Sequence, residues 1–541
     1  MNTLVLLLFG IVWFIFAYYW YGNVIKNKVL KSNNANPTPA HTKNDGVDYV
    51  PTKPQILFGH HFSSIAGAGP IVGPIIAYSF FGWVPALIWV LVGSAFLGAV
   101  HDYTALVVSI RNGGTSIVEI TEKTVSKNAR TIFGIFVWLT LALVQAVFAD
   151  LTAKTLVEQP EIALPTIGLI FLASIFGTLV YKKNISIVLP TLLSLVFLAF
   201  LIYLGKGIKI VLPYDTWLII IILYSFIAAI LPVWILLQPR DYLSMYILIT
   251  GLFIALVGII VSHPNINGPA FVSFDSKIGP LFPMLFITIA CGAISGFHSL
   301  VSSGTSAKQV NKESDAKPVA FGGMLTEGLL ALIVILIVSS VLIWDPNQTS
   351  GSQFSFQSLL KSSANLTFGN ALGRIIEPLG IPLFLGTQFG ILMLNAFILT
   401  TLDTSARLNR YIVQETLGTR LGGIFLNKYF ATAISLIFAY ILCLGNGYKA
   451  LWPIFGTSNQ LIGTLALFVI STYLFGVKSK TLYTLIPGYI MLVVTITALI
   501  YQAFWSYFPQ ENWILFAIAI LLLIMAIFVA YEASFRIFKK N

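Results

Sequence analysis

Charge is scarce in this chain of 541 residues: Asp, Glu, Lys and Arg make up 9% of it, against 57% hydrophobic residues. A soluble domain of this length needs far more polar surface than that, so the composition excludes one and predicts a polytopic membrane protein in a lipid bilayer. Cysteine is nearly absent. Cys291 and Cys443 fall in different predicted spans, which excludes a disulfide framework and a cysteine-based metal site. No His-Glu pair occurs, so the HExxH metalloprotease motif is missing. Adjacent histidines on a helix point about 100° apart, which makes His60 and His61, even with His101 and Asp102, a poor zinc set. There is no Walker A loop, which argues against ATP-driven work within this chain, and no motif calls for a cofactor. The net charge of +11 does not indicate nucleic acid, because the Lys and Arg residues sit in loops between apolar runs. The chain reads as a non-enzyme.

Fifteen apolar runs of roughly 18 residues or more are predicted to span, giving an all-α protein of about 15 transmembrane helices, the first near 3–21 and the last near 513–535. No positive residue precedes the first run and no small-residue cleavage site follows it, so it reads as a retained helix. Alternate loops carry 24 Lys and Arg on one side and six on the other. The positive-inside rule then predicts a cell (inner) membrane protein with its N-terminus outside and its C-terminus cytoplasmic.

One run is interrupted. In Phe58-Gly59-His60-His61-Phe62-Ser63-Ser64-Ile65-Ala66-Gly67-Ala68-Gly69-Pro70-Ile71-Val72-Gly73-Pro74 the glycines and prolines predict a helix that stops halfway across the bilayer. Unpaired backbone costs several kcal/mol in lipid, so such a break survives only beside protein or a water-filled cavity. A second interruption is predicted at Pro232, in Ala228-Ala229-Ile230-Leu231-Pro232-Val233-Trp234, five spans later and in the opposite orientation. Two broken helices so related predict an inverted-repeat transporter with its site at the breaks. The chain then divides into an extra N-terminal helix and cytoplasmic linker (1–55), a first repeat (56–204), a second repeat (216–404), and an interfacial stretch with four C-terminal helices (405–541).

Pro70 suits the first position of a new helix, whose free N–H groups at Gly69, Ile71 and Val72 and positive dipole end favour a carboxylate. A small carboxylate or a peptide C-terminus is the predicted ligand, held by Ser63, Ser64, Gly67, Ala68, Gly69 and Ile71 with Pro232 from the second break. Ionisable groups in lipid are expensive and by default functional. His60, His61, His101, Asp102, His298 and Glu327 all fall in the inner half of the bilayer and are candidates for proton coupling or gating. Asp102, Asp241 and Asp403 can alternatively pair with Arg111, Arg240 and Arg407 at the inner surface. Ser295, Ser299 and Ser302 recur at i, i+4 and i+7 with Ser303 following, a hydroxyl face that suits either a sodium ion or plain helix–helix contact.

These motifs resemble those of the carbon starvation protein A family. The likeness runs from about residue 50 to 475 and includes the broken stretch, Gly98-Ala99-Val100-His101-Asp102-Tyr103, Leu237-Gln238-Pro239-Arg240-Asp241-Tyr242-Leu243, Cys291-Gly292-Ala293-Ile294-Ser295-Gly296-Phe297-His298, Asn395 to Thr404 and Leu451-Trp452-Pro453-Ile454-Phe455-Gly456. The resemblance implies nutrient uptake during starvation, of peptides or of pyruvate with protons. It also implies a LeuT-type five-plus-five fold with an interrupted first helix in each repeat. The expected activity is proton-coupled import of pyruvate or short peptides, with sodium as the alternative ion and a non-transporting nutrient sensor as the alternative role.

Overall fold

The computed structural model of the chain describes every residue except 47, 184, 233–234, 350, 419–421, 445–446 and 539–541. Its architecture is helical. The long helices are α1 (Thr3–Leu30), the pair α2 (Pro54–Ile65) and α3 (Gly69–Phe81), α4 (Trp83–Arg111), α5 (Lys127–Glu158), α6 (Pro160–Val180), α7 (Val188–Gly205), α8 (Tyr214–Ile230) and α9 (Leu237–Ser262). There follow two short helices, α10 (Leu281–Thr288) and α11 (Gly296–Gly304). The longer helices that follow are α12 (Glu313–Val341), α13 (Leu383–Gly418), α14 (Lys428–Cys443), α15 (Lys449–Gly476), α16 (Leu482–Tyr507) and α17 (Trp513–Ile537). Among the described residues, 11 helices are long and apolar enough to cross a membrane, or 12 with α2 and α3 taken as one span.

Burial sorts these helices into a centre and a rim. The most apolar window of α15 is 100% buried and those of α5 and α12 83%, whereas those of α1 and α7 are 33% and 39% buried. Val5, Phe9, Val12, Leu193 and Val196 stay more than half exposed on the rim helices. Apolar side chains turned outward on helices of spanning length form a lipid-facing surface.

The first interruption lies where the glycines and prolines place it. Ala66 leaves the helical region at φ −76°, ψ 64°, and α3 restarts with Pro70 in its first turn, bent 43° from α2. Pro70 lacks an N–H and its ring opposes continuation of the preceding turn, so the helix stops before it.

The second interruption is not at Pro232. α8 ends at Ile230 and α9 starts at Leu237, so Pro232 lies in the connection between two separate helices and is exposed. Val233 and Trp234 of that stretch lie outside the described residues. The break is instead between two short helices, α10 and α11, separated by an irregular segment, 289–295. Small residues make this possible. A Cβ added to Gly69 would strike the Cys291 side chain, and one on Gly73 would come 2.6 Å from the Thr288 carbonyl oxygen, so the two breaks abut with almost no side chain between them.

Candidate functional site at two abutting helix breaks

Within the first break the backbone is largely satisfied. Ala68 O accepts from both Ile71 N (3.1 Å) and Val72 N (2.8 Å), and Ile65 O accepts from Gly67 N (2.8 Å). The expected free N–H groups at Ile71 and Val72 are therefore occupied, because Ala68 keeps helical φ/ψ and its carbonyl reaches both as the helix restarts. Among the described residues no backbone partner is found for the N–H groups of Ala68 and Gly69. The hydroxyls of Ser63 and Ser64 donate to His60 O, at 3.1 and 2.8 Å, one helical turn back. Gly67 faces Thr401 of α13, whose hydroxyl finds no hydrogen-bond partner among the described residues. Pro232 is not brought to this place.

The two adjacent histidines part company. His60 lines a cavity of about 710 Å³ together with Ser64, Asp241, Thr404, Arg407 and Lys308, on the face where residues 48–52 of the linker lie. His61, one residue on and turned about 100° around the helix, is fully buried and its Nδ1 lies 2.8 Å from Ser306 Oγ.

Behind the breaks is a buried chain of ionisable groups. The Asp102 carboxylate takes His101 Nδ1 on Oδ1 at 2.7 Å and His298 Nδ1 on Oδ2 at 2.8 Å. On the other side of the imidazole, His298 Nε2 lies 3.2 Å from Glu327 Oε2. All four side chains are inaccessible to solvent. Ionised Asp102 is acceptor-only, so both histidines donate from Nδ1. A contact between His298 Nε2 and a Glu327 oxygen then needs one proton, carried by the imidazole or by the carboxyl group. His298 Nε2 and Glu327 Oε2 face each other without the alignment of a hydrogen bond, so a proton on either the imidazole or the Glu327 carboxyl group would let Asp102, His298 and Glu327 close into one hydrogen-bonded chain. It joins α4, the second half of the broken span and α12. Among the described residues no three His, Cys, Asp or Glu side chains are grouped so as to hold a metal ion.

The pairings of Asp102 and Asp403 with the arginines near them in sequence do not occur. Arg111 bonds Glu313 at 2.5 Å, nine residues of helix from Asp102. Asp403 is paired with Arg240, and Tyr224 donates to the same carboxylate oxygen at 2.7 Å. Arg240 also reaches Asp241 at 3.2 Å, as expected, but the group is sealed inside the protein with Arg240 0% exposed. Arg407 and Arg410 bond the carbonyls of Ala228, Ala229 and Leu231, since cations are favoured at the C-terminal end of α8.

The serines do not form one stripe. Ser295 precedes α11, so it is not on the helix face that carries Ser299 and Ser302. Ser299 donates to Gly296 O and Ser303 to Ser299 O, while Ser303 Oγ also accepts from Ile117 N; the buried Ser302 hydroxyl finds no hydrogen-bond partner among the described residues. Two residues absent from the sequence-based set are prominent here: Asn459 and Gln460 of α15, whose amides bond to the second broken span. The signal was Thr457-Ser458-Asn459-Gln460, four polar residues in the middle of an apolar run.

The comparisons with known proteins agree with this architecture. The family profile described as "Carbon starvation protein CstA" matches residues 2–350 and 347–498. The chain is 34% identical over 526 residues to the "Peptide transporter CstA" of Bacillus subtilis, covering 90% of this chain and 87% of that protein. It is 32% identical over 580 residues to the "Pyruvate/proton symporter BtsT" of Escherichia coli, covering 90% and 80%. A solved structure of the Eremococcus coleocola manganese transporter superposes with a TM-score of 0.52 over 92% of this chain and 99% of that one, at 14% identity, which is a likeness of fold alone. With its multi-pass helical architecture and relatives that are transporters rather than enzymes, the chain belongs to the carbon starvation protein CstA family.

Proposed function

We propose that the protein is a secondary active importer that takes up a small carboxylate, pyruvate first and short peptides second, together with protons. The observation that carries this reading is the Asp102–His298–Glu327 chain, a buried proton-holding array attached to one half of a broken helix. A group that must gain or lose a proton in lipid is unfavourable in one of its charge states, so its titration biases whichever conformation gives it a partner or water. His60 and Ser64 at the cavity wall and Gly67, Ala68 and Gly69 at the break mark the substrate path. Relatives whose names specify peptides, and one named for pyruvate and protons, support the substrate class.

In this reading the membrane spans number 15, since α8, α14 and the α10–α11 pair each add one to the longer helices. The inverted repeats open at the two observed breaks, so the second begins near Leu281 rather than at 216. The orientation is N-terminus outside and C-terminus cytoplasmic in the inner membrane, which places the 710 Å³ cavity on the cytoplasmic side. Protons are preferred over sodium because the titratable Asp102, His298 and Glu327 lie together, whereas Ser295 is off the helix face that carries Ser299 and Ser302. The test is uptake of radiolabelled pyruvate and of dialanine into proteoliposomes under an imposed pH gradient, a sodium gradient or neither. Accumulation with the pH gradient alone is expected. Accumulation only with sodium reassigns the ion, and binding without accumulation under either gradient makes the protein a sensor.

A further inference from the structure

Asn459 and Gln460 are buried neighbours on helix α15, and each bonds to a different half of the second broken span. Gln460 Nε2 donates to Phe286 O in α10 at 2.7 Å. Asn459 Oδ1 accepts from Phe297 N at the start of α11 at 2.9 Å, and its Nδ2 donates to Ser295 Oγ at 3.0 Å and lies 3.5 Å from Cys291 Sγ. The backbones touch at this place, since a Cβ on Gly296 would strike the Asn459 carbonyl oxygen and the Gly463 nitrogen. Consecutive helical residues point about 100° apart, which is what allows two adjacent amides to reach across a gap of seven irregular residues, 289–295. A helix end in lipid needs its N–H groups satisfied, and Asn459 meets that need for α11 one residue before His298.

We propose that Asn459 and Gln460 are a splint: positioning residues through which α15 holds the two halves of the broken span in register, so that His298 aims at both Asp102 and Glu327. Counted from α10–α11, α15 is the fifth span of the second repeat, and it is thereby a working part of the transport site. Asn459 touches no reacting group in this scheme and acts through the residues it holds. The pH-profile arm rests on the proton-coupling reading above; the labelling arm does not.

The chain's two cysteines provide the test. In a Cys443→Ser background, Cys291 is the sole thiol and sits inside the break that the splint closes. Alkylation by N-ethylmaleimide in membrane vesicles and the pH profile of pyruvate uptake are measured for Asn459→Leu, Asn459→Asp and Gln460→Met. Removing the splint amide in Asn459→Leu is expected to raise the Cys291 alkylation rate at least tenfold and to flatten the pH profile. Asn459→Asp keeps an acceptor for Phe297 N–H and is expected to stay within threefold of the parent in alkylation. Gln460→Met frees only α10 and is expected to show a smaller rise, which keeps the test decisive if the Asn459 variants do not accumulate. Alkylation rates unchanged in Asn459→Leu and Gln460→Met overturn the splint. If His298→Gln keeps its full pH response, the proton reading fails, while the alkylation rates still decide the splint.

Discussion

Asp102 Oδ2 and His298 Nδ1 lie 2.8 Å apart, and this one bond ties an unbroken helix, α4, to the second half of a broken one. Because His298 also faces Glu327 across 3.2 Å, the imidazole is held between two carboxyl groups on two different helices. Any movement of α11 relative to α4 and α12 must break or remake these contacts. Conversely, removing the proton leaves a buried carboxylate facing an imidazole that cannot donate to it, which is costly in a dry site.

Glu327→Gln follows directly. The amide keeps the size and can still hydrogen-bond His298 Nε2, but it cannot take up a proton. Exchange of internal for external pyruvate in proteoliposomes is expected to persist, while accumulation on a pH gradient falls to the equilibrium level. Full accumulation by this variant would remove Glu327 from the coupling chain.

His60 and His61 are expected to separate in accessibility. His60 lines the cavity and His61 is packed against Ser306. In a cysteine-free background, His60→Cys should react with a hydrophilic methanethiosulfonate reagent applied from the linker side, and His61→Cys should not. Excess pyruvate should slow the His60→Cys reaction. Equal reactivity at both positions would contradict the division of the two faces.

The first break was legible because its signal is dense, with Gly67, Gly69, Pro70, Gly73 and Pro74 inside eight residues. The second was not, because 289–295 contains no proline; it is irregular by virtue of small residues that let another backbone approach. Pro232 gave the louder signal, yet proline is equally at home where one helix has already ended. The ionisable residues were found individually, but of the expected acid–arginine pairings only Asp241 with Arg240 is formed. Asp102 and Arg111 are nine residues apart on one helix, about 13.5 Å along its axis, and cannot meet. Arg407 was close enough to Asp403 to pair with it, and instead serves the carbonyl end of α8. Long-range partners such as Asp102 with His298 depend on which helices cross, and no local pattern encodes that.

The Arg240–Asp403 pair is expected to matter for stability. Arg240 is wholly buried among Asp403, Asp241 and Tyr224. Asp403→Leu leaves an arginine short of its buried partner and should cost about 3–5 kcal/mol, read as a lower Tm of the purified protein in detergent. Because Arg240 also pairs with buried Asp241, the triple variant Arg240→Met, Asp241→Asn and Asp403→Leu is the one that removes every charge of the group, and it should recover most of that loss. A triple variant as unstable as Asp403→Leu alone would show that the cost came from packing.

Gly69 provides the sharpest test of how closely the breaks abut. A Cβ there would overlap the Cys291 side chain, so even Gly69→Ala must push the two interrupted helices apart. Overpacking of a tight contact typically costs about 1–3 kcal/mol, small enough for the protein to insert but large enough to bias its conformations. Gly69→Ala is therefore expected to reach the membrane at near-normal abundance with pyruvate uptake reduced severalfold, and Gly69→Leu to abolish uptake. Because the obstruction is a single side chain, Cys291→Gly should restore a substantial part of the uptake lost by Gly69→Ala while leaving Gly69→Leu inactive. Uptake is measured against protein quantified by immunoblot in the same membranes. Normal uptake by Gly69→Leu would mean that the breaks separate freely and that the carboxylate path does not run through them. A Gly69→Ala loss untouched by Cys291→Gly would place the obstruction elsewhere than at the Gly69–Cys291 contact.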